Sequence, residues 1–327
     1  MIVVTGGAGF IGSAVVWALN ERGEYEILVV DEANISAEKQ KNLEALQYSQ
    51  YFDKDEFRRR ILNDELEPVP DAIVHLGACS STTEEDMDYL RDNNYQYTVD
   101  LAEYGLKNDV RFIYASSAAT YGDGSLGYSD NHGMIPKLEP LNKYGLSKQM
   151  FDEHALKNGW LDEIVGLKYF NVYGPNEYHK GEMRSVIHKS VPQAREDGVI
   201  RLFKSHRDDY EHGEQKRDFL YVKDAVEMTL FFLDNPDQAG IHNVGVGEAR
   251  SFNDLATAIF DALKLPPKIE YFDMPGDIRP NYQYYTEADL TKIREAGYNP
   301  EITSLENGIR EYVKEYIVTD TPRLGEI

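Results

Sequence analysis

The sequence predicts an α/β fold: a Rossmann-type doubly wound parallel sheet with a smaller interwoven α/β substrate domain. Three observations carry that expectation. Short apolar runs rich in β-branched residues recur between polar stretches of helical composition, the pattern of a parallel sheet covered on both faces. The first run leads straight into a glycine-rich turn, TGGAGFIG, residues 5–12. The second ends on an acidic residue, Asp31.

The elements follow in order. Ile2–Val4 reads as a strand, SAVVWALNERG as a helix stopped by Gly23, and Ile27–Val30 as the next strand. Together they make one βαβ unit. Further strand-like runs are AIVHLGA (72–78), RFIYASS (111–117) and EIVGLKYF (163–170). After Tyr173 the stretch 174–217 is rich in charge, His and Gly. The βα pattern returns with RDFLYVKDAVEMTLFFLDNP and GIHNVGVG (240–247), and the tail TDTPRLGEI reads as frayed. No repeat or flexible linker divides the chain. The expected organisation is therefore a dinucleotide-binding domain of 1–172 and 215–246, interwoven with a substrate domain of 173–214 and 247–317.

Composition removes several classes of function. A net charge of −23 argues against nucleic acid, whose phosphates call for basic surfaces. No apolar run approaches the roughly 18 residues needed to span a bilayer, so no membrane partner is expected. The single cysteine, Cys79, excludes an intrachain disulfide and fits a reducing, cytoplasmic compartment. No metal site is expected. Charge is uneven, however: residues 180–217 hold nine Lys and Arg against seven Asp and Glu. That local excess fits either a balanced surface loop or a pocket for a small anion.

The chemistry-bearing residues fall into three groups. Gly6, Gly9 and Gly12 give the spacing GxxGxxG directly after a strand, where a tight turn brings backbone to a pyrophosphate at a helix N-terminus. Asp31 and Glu32 then stand where a ribose would lie and would repel a 2′-phosphate, whereas Lys39 and Lys54 would attract one. From these residues alone NAD and NADP stand level. Ser116 and Ser117 end a strand at the edge where open α/β sheets gather ligands. In LNKYGLSK (141–148), Tyr144 and Lys148 lie four apart and share a helix face. An ammonium beside a phenol favours the phenolate and would make Tyr144 a usable base.

With these residues in place the chain resembles the extended short-chain dehydrogenase/reductase superfamily. More narrowly it resembles the ADP-L-glycero-D-manno-heptose 6-epimerase family. The resemblance rests on TGGAGFIGS, ILVVD, GACSSTTE, DNNYQY, YASSAATYG, YGLSK, KYFNVYGP, HKG, KRDFLYV and NYQYYTEADLTKIREAGY, which span both lobes. It implies an NADP-type cofactor held through turnover, with NAD possible. It implies interconversion of ADP-D-glycero-D-manno-heptose and its L-glycero epimer for the lipopolysaccharide inner core, by a homo-oligomer that is a pentamer in the family. Carried over residue by residue, cofactor contacts fall on Phe10, Ile11, Asp31, Glu32, Lys39, Lys54, Leu76, Gly77, Ala78, Cys79, Ser80, Asn93, Lys148, Val172 and Lys180. Substrate contacts fall on Asn171, Glu182, Lys189, Phe203, Lys204, Ser205, His206, Arg217 and Tyr282. Ser117 matches the catalytic hydroxyl, and the resemblance nominates Lys180 as a second base or as an anion contact.

The chain departs from the family in three places. Glu32 stands where the family has Asn, and the loops 122–140 and 204–216 are extended. Two other readings use the same scaffold. A nucleotide-sugar 4,6-dehydratase would carry an Asp-Glu pair after the strand-end hydroxyl, where this chain has Ala118 and Ala119. A 4-epimerase acting on another nucleotide sugar is the closer competitor. A non-catalytic dinucleotide-binding sensor would lack the Tyr144/Lys148 pair.

Overall fold

The computed structural model describes residues 1–276, 279, 282–320 and 322–326. Among the described residues, twelve strands form three sheets: β1 Ile2–Thr5, β2 Ile27–Asp31, β3 Gln50–Asp53, β4 Ala72–His75, β5 Arg111–Ser117, β6 Val165–Tyr169, β7 Asn171–Tyr173, β8 Ile200–Phe203, β9 Lys216–Tyr221, β10 Gly240–Val244, β11 Ala249–Ser251 and β12 Ile269–Phe272. Seven make an all-parallel sheet in the order β10-β6-β5-β4-β1-β2-β3. β2, β4, β6 and β10 are buried along their whole length, and β2 and β4 accordingly read as apolar runs up to their last residue. The edge strand β3, QYFD, carries no such run and left no strand signal in the sequence.

The chain leaves β1 towards β2 and β3, then crosses back to β4 on the other side. The strand order therefore switches between β1 and β4, and a crevice opens beyond their C-terminal ends. Alternation along β1 sends Val4 into one hydrophobic cluster and Val3 into another, so both faces of the sheet are packed. The first cluster runs from Val4, Phe10 and Val15 through Tyr173 and Ile187 to Phe260 and Tyr312. It joins the two lobes in one core.

The second lobe holds a three-stranded sheet, β11-β9-β7, and the pair β12-β8. β9 lies in this small sheet, while the following helix Val222–Asp234 and β10 return to the large one. The segment 215–246 is thus shared between the lobes. The stretch 322–326 corrects the expectation of a frayed tail. Leu324 is buried in the main cluster, its N–H donates to Asn176 Oδ1 (3.1 Å), and Arg323 pairs with Glu38. Among the described residues, no helix is long and apolar enough to cross a membrane, and no cluster of His, Cys, Asp and Glu could hold a metal.

Candidate active site

The crevice at the switch point is a cavity of ≈ 740 Å³. Its floor is the glycine turn. Gly6 adopts φ +66°, and a Cβ there would meet Gly77 Cα, just beyond β4, at 2.8 Å. A Cβ on Gly12 would lie 2.1 Å from Gly6 O, so the helix Phe10–Glu21 could not seat against the turn. That helix starts at Gly9 with no side-chain cap, leaving its first amides without a capping side chain, as an anion site requires. This cradle fits a dinucleotide pyrophosphate. Every residue expected to contact cofactor, from Gly6 to Lys180, lines the cavity.

At the end of β2, Asp31 accepts from Ala8 N (3.0 Å) and Glu32 N (2.8 Å), which ties the glycine turn to the strand end. Its Oδ1 also takes the Lys39 ammonium at 2.6 Å. Lys54 pairs with exposed Asp55 at 2.9 Å. Two acids and two lysines thus share the ribose end of the cavity.

Tyr144 and Lys148 lie on the helix Lys143–Lys157, started by Asn142, whose Oδ1 accepts from Gly145 N (2.8 Å). Helical spacing turns both into the cavity. Ser117 lies beside the Tyr144 hydroxyl, lowering its pKa, and caps the turn Ala118–Tyr121 by accepting from Ala119 N (3.1 Å). Ser116 instead donates to the buried Asp152 (2.7 Å). Asp152 in turn receives Tyr114 OH (2.9 Å) and pairs with Lys168 (2.9 Å), both fully enclosed.

One expectation needs correction. Tyr144 is not made acidic by its lysine: burial pushes the phenol above its ordinary value, and the bond from Ser117 only opposes this. Lys148 is itself pushed down to about 8 by burial, with the Asp152 charge opposing. Desolvation disfavours the phenolate and outweighs the lowering by Ser117.

A further part of the cavity lining comes from the turn Tyr178–Met183, with Gly181 at φ +53°. It presents His179 and Lys180 to the cavity. Lys180 Nζ sits 5.4 Å from the centre of the Phe10 ring and makes no ion pair among the described residues. Burial lowers its pKa, and the nearby Glu177 charge opposes. Glu177 is buried, accepting from Ser185 Oγ (2.7 Å), Ser185 N (2.5 Å) and Tyr312 OH (3.0 Å). Its own pKa is raised by burial.

Among the residues expected to touch substrate, Asn171 and Arg217 line the cavity. Arg217 is buried with no carboxylate partner among the described residues. It donates to the carbonyls of Lys216 (2.8 Å) and Gln283, and it lies 5.0 Å from the Tyr282 ring centre and 5.8 Å from that of Phe252. Its sequence neighbour Asp218 is no salt-bridge partner, because it anchors a loop through Val246 N (2.7 Å), Gly247 N (2.9 Å) and Ala288 N (3.0 Å). Tyr282 and Phe203 form an aromatic shelf beside Arg217, their rings 6.4 Å apart, outside the cavity lining. Glu182, Lys189, Lys204, Ser205 and His206 also lie outside it. Lys189 donates to Glu182 O (3.1 Å), Lys204 pairs with Asp273 (3.5 Å), Ser205 Oγ donates to Arg207 O (2.9 Å), and His206 N–H donates to Tyr284 OH (3.0 Å). The extended loop is tied to the 282–288 segment, with Arg207 over the rings of its own Tyr210 and of Tyr284.

Sequence reasoning passed over Asn94 and His179. Asn94 sits in a π-helical segment, Arg91–Gln96, with no spacing signal of its own. Fully buried, it donates to Cys79 O (2.9 Å) and Ser147 Oγ (3.0 Å) and accepts from Cys79 N (2.8 Å). It therefore locks the loop after β4 to the helix of Tyr144. His179 Nδ1 meets Asn42 Nδ2 at 3.2 Å, and burial, aided by Lys39 and Lys180, pushes its pKa down to about 4.

A dinucleotide cradle beside a Ser-Tyr-Lys group defines a nicotinamide-dependent enzyme of sugar-nucleotide type. Residues 2–245 match the NAD dependent epimerase/dehydratase family, and the chain belongs to it. Full-length relatives named ADP-L-glycero-D-manno-heptose-6-epimerase include those of Nitratidesulfovibrio vulgaris (53% identical; 99% of this chain, 100% of that one) and Fusobacterium nucleatum (45%; 98% and 99%). Among solved structures, the Helicobacter pylori ADP-L-glycero-D-manno-heptose-6-epimerase aligns with a TM-score of 0.80 at 28% identity, covering 96% of this chain and 95% of that one. A Bacillus cereus UDP-glucuronic acid 4-epimerase, solved with its sugar nucleotide and NAD, aligns with a TM-score of 0.75 at 25% identity, covering 96% and 99%. Within the family, the chain falls with the heptose 6-epimerases.

Proposed function

We propose that the chain inverts C6″ of ADP-D-glycero-D-manno-heptose to give the L-glycero epimer, using Tyr144 and Lys180 as acid–base groups from two parts of the cavity lining. The observation that carries this reading is the shared cavity: it is lined by Ser117, Tyr144 and Lys148 from one element pair and by Lys180, half-buried and without an ion pair among the described residues, from another. The bound nicotinamide would supply transient oxidation of the carbinol and return of the same hydrogen. Tyr144, sharing a hydrogen bond with Ser117, takes the hydroxyl proton as the ketone forms. Lys148, an ammonium beside the phenol, favours the phenolate that Tyr144 must be before it accepts that proton, and Tyr144 is left as the neutral phenol. The ketone then turns over in the cavity, so its oxygen points to the other wall, where Lys180 exchanges the proton. A lysine lowered by burial is suited to that exchange. Arg217, buried and without an acid partner among the described residues, would take a diphosphate oxygen in a bidentate pair.

NADP is the proposed cofactor. Lys39 and Lys54 flank the ribose end and would pair with a 2′-phosphate, Lys39 exchanging Asp31 for it. NAD is the second reading, favoured by Asp31 and Glu32 and by the NAD in the Bacillus cereus structure. Titrating cofactor-free protein with each separates the two, and a clear preference for NAD overturns the first. The resemblance further implies a cytoplasmic homo-oligomer, whose size sedimentation would give. The test of the reaction is incubation with ADP-D-glycero-D-manno-heptose or with UDP-sugars, followed by NMR of the product. Turnover of a UDP-sugar in place of the heptose would contradict the assignment.

A further inference from the structure

We infer that residues 322–326, with Arg323 at their centre, are a positioning strap that holds the two lysine-bearing sides of the cofactor cavity in register. The inference rests on the reading that Lys39 and Lys180 border a bound dinucleotide. Lys39 belongs to the short helix Ala37–Gln40, and Lys180 to the turn Tyr178–Met183. Those elements are some 140 residues apart in sequence, and neither is long enough to be rigid alone. The strap bonds to both. The Arg323 guanidinium pairs with Glu38, next to Lys39, and lies 5.1 Å from the centre of the Tyr178 ring, two residues before Lys180. Tyr178 OH donates to Pro322 O (2.5 Å). Leu324 N–H donates to Asn176 Oδ1 (3.1 Å), at the start of the same turn.

Beneath the strap, Asn42 Nδ2 reaches Ala8 O (3.1 Å), Asn176 O (3.0 Å) and His179 Nδ1 (3.2 Å). Asn176 also donates to Ser13 Oγ (2.9 Å) on the helix behind the glycine turn. Arg323 itself is 6% exposed, so its pair with Glu38 is shielded from solvent on the arginine side. A surface salt bridge would do little here, whereas a buried cation bridging two cavity walls fixes their separation. Arg323 and Tyr178 touch neither cofactor nor substrate and act through Lys39 and Lys180.

The test uses the full chain, stripped of cofactor, with NADP and NAD as probes. In Arg323→Ala the walls should be in register only about a tenth of the time, which raises the dissociation constant of the preferred dinucleotide about tenfold. Arg323→Lys should recover part of that loss, since the charge remains. Tyr178→Phe, which deletes one hydroxyl and keeps the ring, should give a smaller rise of about threefold and carries the test if Arg323→Ala does not fold. At saturating cofactor kcat should return to within about twofold of wild type, because bound dinucleotide re-imposes the register. Affinities unchanged in both variants would overturn the strap. So would a lower melting temperature of the stripped variants with affinity intact, since the segment would then be structural only. A wild-type chain that takes up neither dinucleotide would overturn the cofactor reading itself.

Discussion

Lys148 is buried and Lys180 half-buried, both are lowered in pKa by desolvation and both lack an ion-pair partner among the described residues, yet the fold holds them in different ways. Lys148 rides on a 15-residue helix with a side-chain cap, and Ser147 and Asn94 lock it to the neighbouring strand loop. Lys180 rides on a six-residue turn broken by a left-handed glycine, and its supports come from Glu177, Asn42, Tyr312 and the strap at Arg323. One lysine is positioned by local geometry and the other by long-range contacts. On the proposed mechanism, the oxygen is met in one orientation from a capped helix and in the other from a short turn held by contacts across the lobes.

The comparison can be broken most severely at Tyr144. Tyr144→Phe deletes one hydroxyl from the capped helix and should lower kcat about 10³-fold while cofactor content, read by absorbance, stays at wild type. Lys180→Ala should cost about 10²-fold with cofactor retained. Full activity in that variant would reduce the site to one base and remove the symmetry between the walls. Arg217→Ala lies away from both lysines. It should raise the dissociation constant of the sugar nucleotide about tenfold and leave the circular dichroism spectrum unchanged, because one charge-assisted pair is lost. Unchanged substrate affinity would remove Arg217 from the site.

The smallest effect sharpens the contrast through stability. The unfolded chain holds the Lys148 proton up to its ordinary value of 10.5, the folded chain only to about 8. Between those values the unfolded state binds more protons, so the Lys148 contribution to stability rises with pH and is least favourable below about 8. Lys148→Met should therefore stabilise the cofactor-free protein at pH 7 by about 1 kcal/mol or more and flatten this pH dependence, while weakening cofactor binding. Calorimetric melting at pH 7 and pH 10 would read both effects.

The contrast also explains what the sequence made legible. Tyr144 and Lys148 could be found because a helix converts a spacing of four into a shared face, and the glycine turn because steric need fixes residue type. β2, β4 and β6 were legible because strands buried on both faces are mostly apolar, whereas β3, at the sheet edge, was not. The pull of Lys148 on Tyr144 was overestimated, since the sequence shows neighbours but not desolvation. Asn94, Glu177 and the 322–326 strap left no local signal, because each acts by meeting residues distant in the chain. The loop contacts expected at Lys204–His206 depended on loop geometry, and Arg207, Tyr210 and Tyr284 tie that loop to the 282–288 segment.

The central claim is that one carbon is oxidised and reduced between two walls without exchanging its hydrogen with solvent. Incubation of the wild-type enzyme with ADP-D-glycero-D-manno-heptose in heavy water, with NMR at C6″, tests it most directly. The account predicts conversion to the L-glycero epimer with protium retained at C6″. Deuterium at C6″ would mean deprotonation of carbon beside a carbonyl, and would contradict it.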